Sequence, residues 1–262
     1  MVHQIVVTSL DWVVSWEVAV ESTFLNRLKS ILLALNDRGV VVVGFTGCDR
    51  EEIEPIRAEL SWHAPFIIES GSAILTPVSQ PPFSTPLGEL DGNYFVETLG
   101  CPYVQARAGL RVLANLISHP LKGFGDFTVP KLERFLAISA EAAHRAKARE
   151  FSEPFMTPKA VDADVLVNAA ADMGFSVVLR DPQKTRFSEL IGAKASVSSA
   201  VAKVVNAYQL DNESASVVVI GTAEDLQQVL PDEDGAAVWP VIEVRSPEQW
   251  LAELESCGTK IL

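Results

Sequence analysis

Four places in this chain put hydroxyls and carboxylates at a spacing that could do chemistry. Ser9 and Asp11 stand two apart, Thr46 precedes Gly47, Glu69-Ser70-Gly71 follow one another, and Gly221-Thr222 lead to Asp225. A hydroxyl beside an acid offers a nucleophile or a general acid and base, and a Thr-Gly pair can hold an oxyanion by hydroxyl and backbone N–H. A serine is a weak nucleophile unless a neighbouring base activates it. None of the four histidines (His3, His63, His119, His144) falls where such a base is needed. Cys48, Cys101 and Cys257 have no CxxC or Cys/His spacing, so no structural zinc is expected.

What unites these clusters is the apolar run ahead of each one. Residues 5–7 (IVV), 40–45 (VVVVGF), 66–68 (FII) and 216–220 (SVVVI) read as buried strands. Between them, residues 21–38 and 50–60 repeat apolar side chains at helical spacing, and Gly39 stands where the first helix should stop. This β-α-β-α-β order predicts a parallel sheet with right-handed crossovers, and ligands of such sheets bind outside the carboxyl ends of the strands. After residue 192 the alternation resumes, with helices over 198–208, 226–230 and 247–257 and a strand over 241–244.

The middle third differs. QPPFSTP (80–86) cannot continue a central strand or helix and marks a boundary. Beyond it come a strand over 94–97, a helix over 104–118, a Gly-rich turn over 123–126, and a helix N-capped by Thr128 with Pro130 in its first turn. Helices over 139–150 and 161–173 and strands over 176–180 and 185–191 complete it. The expected organisation is an α/β core in two parts, 1–82 and 191–262, with an α+β insertion over 83–190.

A formal net charge of −13 gives no electrostatic footprint for nucleic acid or anionic membranes. No apolar run approaches the roughly 18 residues of a membrane span, and no leader segment is visible, so a cytoplasmic location is expected. The sequence leaves the oligomeric state open.

Four stretches carry a family resemblance: VVGFTGCDREEIEPIRAEL (42–60), PFIIESGSAIL (65–75), GFGDFT (123–128) and AKAREFSEPF (146–155). With the strand ends, they make the chain resemble the mannosyl-3-phosphoglycerate phosphatases of the haloacid dehalogenase superfamily. The resemblance implies a doubly wound parallel-sheet core with an inserted α+β cap. It also implies magnesium-dependent hydrolysis of a sugar-glycerate phosphate through an aspartyl-phosphate.

Carried over motif by motif, it also exposes substitutions. The family's DLDGT becomes Ser9-Leu10-Asp11-Trp12-Val13, keeping the acid/base aspartate as Asp11 and putting Ser9 at the nucleophile position; the stretch ahead of Ser15-Trp16-Glu17 is shortened. Thr46 keeps the phosphate-binding hydroxyl, with Gly47 beside it. The lysine of HDKG is replaced by Ser196 or Val197, depending on the alignment, and Lys194 is the nearest cation. In GDSxND, Thr222 replaces the first metal aspartate, leaving Asp11 and Asp225 as metal candidates, with Glu224 near the asparagine position. Asp225 and Glu224 equally suit the N-terminus of the following helix.

In the cap, Asp126, Arg145 and Arg149 are the substrate candidates, with Lys147 beside them, although such residues are more commonly a polar helix face. Ser70 stands where an asparagine is usual. Loss of an essential nucleophile costs on the order of 10⁶-fold, about 8 kcal/mol of barrier. The expectation is a phosphatase scaffold with an edited site, weakly active or inactive, that takes a small phosphorylated sugar or anion. Two alternatives stand beside it: an active phosphatase with Asp11 promoted to nucleophile, and a non-catalytic ligand- or partner-binding protein.

Overall fold

β1 (Gln4–Ser9) is apolar on both faces because both are covered. Ile5 and Val7 enter one buried cluster and Val6 enters the other. The computed structural model describes residues 2–14, 22–79, 83–180, 186–213, 215–230 and 239–257. Ser15-Trp16-Glu17, Gln80–Pro82 of the proline-rich stretch and Thr185 lie outside them.

From β1 the chain runs through α1 (Ser22–Asp37), β2 (Val40–Phe45), α2 (Arg50–Leu60) and β3 (Phe66–Ile68). Gly39, at φ 73°, ends the first helical segment as expected. β4 (Ala73–Pro77), β5 (Glu89–Asp91) and β6 (Tyr94–Thr98) follow. Then come α3 (Tyr103–Leu116), α4 (Val129–Leu136), α5 (Ala140–Arg145), β7 (Ser152–Met156), α6 (Ala163–Asp172), β8 (Phe175–Val178) and β9 (Phe187–Gly192). The chain closes with α7 (Val197–Asp211), β10 (Ser216–Gly221), α8 (Ala223–Val229), β11 (Val241–Glu243) and α9 (Pro247–Cys257).

Eight strands form the main sheet in the order β11-β10-β1-β2-β3-β4-β6-β5. The first five are parallel and the last three antiparallel. β1 lies between β2 and β10, where the winding reverses, so its carboxyl end opens on the crevice. Trp250 of α9 is fully buried and donates its indole N–H to Thr8 Oγ1 at 2.7 Å, fixing the end of β1 from one face. Val197, Val201, Val204 and Tyr208 of α7 cover the other face.

The second sheet, β7-β9-β8, is antiparallel and belongs to the cap. Three expectations change here. The strand over 94–97 is real, but as β6 it pairs with β4 in the main sheet, so residues 89–98 belong to the core and not to the insertion. Of the proline-rich stretch, residues 83–86 are described, and they lie in the chain between β4 and the edge strand β5, ahead of the insertion. The insertion instead enters and leaves where Gly192 passes so close to Gly100 and Cys101 that a Cβ would meet their backbone at 2.9 Å. The helix expected over 139–150 stops at Arg145, and residues 152–156 form a strand. Pro154 hid that strand. It is tolerated because β7 has a full ladder only with β9 and an isolated bridge to Gly123 on its other side.

Core and cap meet along an ionic seam. Glu69 is fully buried and accepts the N–H groups of Glu150 and Phe151 and the hydroxyl of Ser152 at 2.9, 3.0 and 2.6 Å. Arg149 is buried too. It donates to the Gly47 carbonyl and lies 3.7 Å from both Asp49 and Glu52. Burial opposes its charge, but Glu52, Asp49, Glu189 and Glu69 more than offset that and hold it above its usual range. Asp49 also caps α2 through a reciprocal box with Glu52. Burial, with Glu52 beside it, pushes the Asp49 carboxyl up to about 7, and burial pushes Glu150 to about 6. Glu69-Ser70-Gly71 turns through three consecutive positive φ values, 48°, 56° and 90°. At Gly71 a Cβ would lie 2.2 Å from the Ser196 carbonyl carbon, so this turn locks against the start of α7.

Two outcomes follow from this architecture. Gly71→Ala meets backbone, not a movable side chain, at a φ that L-residues avoid. It is expected to lower the unfolding free energy by about 3 kcal/mol or more in urea titrations. The seam carboxyls bind protons in the native state that the unfolded chain releases from about pH 4 upward. Stability should therefore fall as pH rises from about 4 to about 7 and level off above. The expected loss between pH 5 and 8 is on the order of 3 kcal/mol. Asp49→Asn, which keeps the helix cap, should flatten that slope.

Candidate functional site

The strand ends deliver Ser9, Asp11, Thr46 and Gly47 to one place. Thr46 Oγ1 donates to Asp11 Oδ1 at 3.1 Å and accepts the Cys48 N–H at 3.1 Å. Ser9 is 1% exposed, and its hydroxyl accepts the N–H of Asp11 at 3.2 Å. The serine thus sits below Asp11, buttressing the turn. Trp12, Val13 and Val14, which follow Asp11, pack into the core cluster containing Leu10 and Cys48. Cys48 is near the site, but burial, with Glu52 nearby, holds its thiol well above the usual range, so it is no thiolate nucleophile.

Asp11 is the group that faces the crevice, with 48% of its side chain exposed. Crowding by the surrounding protein raises its carboxyl to about 6. Arg180 and the Thr46 hydrogen bond oppose that rise, while Asp225 and Glu189 add to it. No histidine is placed to activate Ser9: His3 is exposed at the opposite end of β1, His63 and His144 are exposed, and His119 follows α3.

The other expected site residues have different occupations. Thr222 and Asp225 form a reciprocal cap on α8: Asp225 Oδ2 accepts the Thr222 N–H at 2.8 Å and its hydroxyl at 2.7 Å, and the Asp225 N–H returns to Thr222 Oγ1 at 3.3 Å. Ser196 caps α7 by accepting the Ser199 N–H at 3.0 Å. Lys194 is exposed in the turn ahead of that helix. Asp126 is held by Arg107 at 2.6 Å and by the Gly123 N–H at 3.0 Å, within the cap. Arg145 pairs with Glu141 on its own helix at 2.9 Å. Lys147 donates to the Phe127 carbonyl. Arg149 lies in the seam beneath Gly47.

Two residues that sequence reasoning passed over complete the crevice. Arg180, just beyond β8, donates from Nη2 to Ser70 Oγ at 3.2 Å and to Glu189 Oε1 at 3.3 Å, and its Nη1 lies 3.9 Å from Asp11 Oδ2. Glu189, in the central cap strand, accepts the Ser70 hydroxyl at 2.5 Å. Ser70 thus serves at the usual asparagine position by reaching the cap. A Cβ on Gly47 would lie 2.2 Å from Arg180 Nη2, so a side chain at 47 would have to push the guanidinium from this position. The available signal was faint: a lone arginine ending an alternating strand, and a glutamate inside an apolar one.

Magnesium takes a near-octahedral oxygen shell, usually with one or two carboxylates and several waters. The residues present do not fit it. Ser9 and Thr222 are neutral, Asp225 spends an oxygen on its helix cap, and a guanidinium already faces Asp11. Among the described residues no group of three or more His, Cys, Asp or Glu side chains could hold an ion. No helix there is long and apolar enough to cross a membrane.

No family model matches the chain. It is 27% identical over 195 residues, 74% of this chain and 70% of the relative, to a glucosyl-3-phosphoglycerate/mannosyl-3-phosphoglycerate phosphatase of Persephonella marina. A mannosyl-3-phosphoglycerate phosphatase of Pyrococcus horikoshii is 36% identical over 125 residues, which is 48% of this chain and 50% of that protein. That match thus spans about half the relative's length. Among solved structures, a Thermoplasma acidophilum protein superposes with a TM-score of 0.62 at 13% identity, covering 99% of both chains. A haloacid dehalogenase-like hydrolase from B. subtilis gives 0.57 at 12%, covering 99% of this chain and 100% of that one. The sucrose-phosphatase of Synechocystis gives 0.51 at 10%, covering 97% and 99%. The chain has the haloacid dehalogenase fold, and by sequence it is similar to mannosyl-3-phosphoglycerate phosphatases.

Proposed function

We propose that this protein binds a small phosphorylated sugar of the sugar-glycerate phosphate class in the crevice between core and cap, and hydrolyses it weakly or not at all. The observation that carries this reading is Ser9. A neutral, buried hydroxyl stands where the resemblance puts the attacking carboxylate, and it already accepts the Asp11 N–H. Without a base beside it, that hydroxyl stays protonated and unreactive. Supporting it are the commitment of Asp225 to the α8 cap and the exposure of Lys194, since charge stabilisation is the main source of rate in phosphoryl transfer. The binding half of the reading rests on Thr46, Gly47 and the cap residues that still close over them.

A second reading has its own observation. Asp11 Oδ1 is hydrogen-bonded to Thr46 at 3.1 Å, so the remaining carboxylate already faces the phosphate-binding hydroxyl. Attack by Asp11 on phosphorus, with departure of the glycerate C3 oxygen as its alkoxide, would give an aspartyl-phosphate for water to hydrolyse. Asp11 would first have to leave Arg180, and the departing oxygen would need a proton donor other than Asp225, which is held in its cap.

One pair of measurements separates the two. Calorimetric titration with mannosyl-3-phosphoglycerate is expected to show binding. Phosphate release from the same compound, with magnesium present, is expected to stay within about tenfold of a no-enzyme control, consistent with a lost nucleophile. Robust magnesium-dependent release abolished by Asp11→Asn would reverse the order of the readings.

A further inference from the structure

Among the described residues, a phosphoryl group entering this crevice finds no cation from the core, since Ser196 caps α7 and Lys194 is exposed. The cap brings one. Arg180 lies over the Gly47 backbone, closer than any side chain at that position would allow, next to the Thr46 hydroxyl. Its Nη2 is tied twice, to Ser70 on the core turn and to Glu189 on the cap strand. Its Nη1 is not so tied: Asp11 Oδ2 is 3.9 Å away, beyond hydrogen-bond distance. We propose that Arg180 is the phosphate-anchoring residue of this protein, supplying from the cap the positive charge that the core strand ends no longer carry, with a phosphoryl oxygen taking the place of Asp11 at Nη1.

Three features argue for an anchor over a simple structural ion pair. Planar guanidinium donors match phosphate oxygens, and charge-assisted bonds to them are about twice as strong as neutral ones. The exchange sacrifices little, because a loose pair gives way to a short one while Ser70 and Glu189 keep the guanidinium in position. The displaced partner also keeps a contact of its own, since Asp11 Oδ1 accepts the Thr46 hydroxyl at 3.1 Å whatever lies at Oδ2. Because Arg180 stands on the cap and Thr46 on the core, a phosphate held by both would also fix the two lobes together.

The inference deepens the binding reading above and rests on it, so the test uses four probes: orthophosphate, tungstate, mannosyl-3-phosphoglycerate and unphosphorylated mannosylglycerate. Wild type, Arg180→Gln, Arg180→Lys and the surface control Lys131→Gln are compared by calorimetry, with circular dichroism to verify folding. The control should match wild type. Arg180→Gln should weaken every phosphorylated or oxyanion probe by roughly 10–100-fold, as loss of a charged hydrogen bond predicts, and Arg180→Lys by less. Weak binding of mannosylglycerate should not change, which a general collapse of the cap would not allow. Should Arg180→Gln not fold, the lysine variant's selective loss of phosphorylated over unphosphorylated ligand carries the test. Equal or tighter oxyanion binding in the Arg180 variants overturns the assignment and leaves the sugar-phosphate reading standing. Wild type that holds orthophosphate and tungstate through Arg180 but ignores mannosyl-3-phosphoglycerate does the reverse, and wild type that binds no oxyanion overturns both.

Discussion

A strand buried on both faces can point nothing polar sideways, so its chemistry must wait for its end. β1 obeys this constraint, and the rest of the molecule is arranged by it. Ile5, Val6 and Val7 are fully buried, divided between the two cores, and the first hydroxyl, Thr8, is claimed by the indole of Trp250. Ser9 and Asp11 then emerge where the sheet's winding reverses, beside the ends of β2 and β10. Because burial of the strand and chemistry at its tip involve different residues, the tip can change while the strand stays. Just beyond Asp11, Trp12, Val13 and Val14 pack into the apolar core, and the turn is held by backbone and by Ser9.

A crevice lined by several acids needs cations close by. Carboxylates near a metal or a lysine are tolerable because the cation offsets their repulsion and desolvation. Here Asp11, Glu189, Asp225 and Glu224 lie around the crevice, and Asp49, Glu52 and Glu69 lie beneath it. Two arginines from the cap answer them. Arg149 serves the lower group and Arg180 the upper one, and each is held above its ordinary pKa range by those acids against the penalty of burial. Burial, with the neighbouring acids adding to it, still raises the carboxyls of Asp11, Asp49 and Glu150.

The regular part of this fold was legible from sequence because burial writes a period. The runs at 5–7, 40–45 and 216–220, and the helical spacing between them, lie within β1, β2, α1, α2 and β10 with little adjustment. What escaped were elements whose composition contradicts their role. Pro154 and Glu153 sit in a cap strand that can carry them, the proline beside a mostly unpaired edge and the glutamate against Arg107 at 2.9 Å. Residues 89–98 escaped because a proline-rich loop resembles a boundary whether the chain leaves the sheet or only turns to its edge. At the site, strand-end residues were legible because topology fixes where a strand ends. Arg180 was not, because no periodicity or spacing links residue 180 to residues 11, 47 and 70. Only the docking of one lobe on the other does that.

That docking runs through the Glu69-Ser70-Gly71 turn. A left-handed conformation at Ser70 suits asparagine better than serine, and holding a serine there carries a steric cost of roughly 1–2 kcal/mol. The turn is overdetermined by its surroundings: Glu69 is fixed by three donors from residues 150–152, and Gly71 is wedged against Ser196. The serine hydroxyl then makes the contact that counts, donating to Glu189 and receiving from Arg180, so that one short side chain connects core backbone to the cap's acid and base. A longer amide would have to displace one of them. Ser70, Arg180 and Glu189 therefore form a set whose members fit one another, and the turn that presents Ser70 is held in place from both lobes.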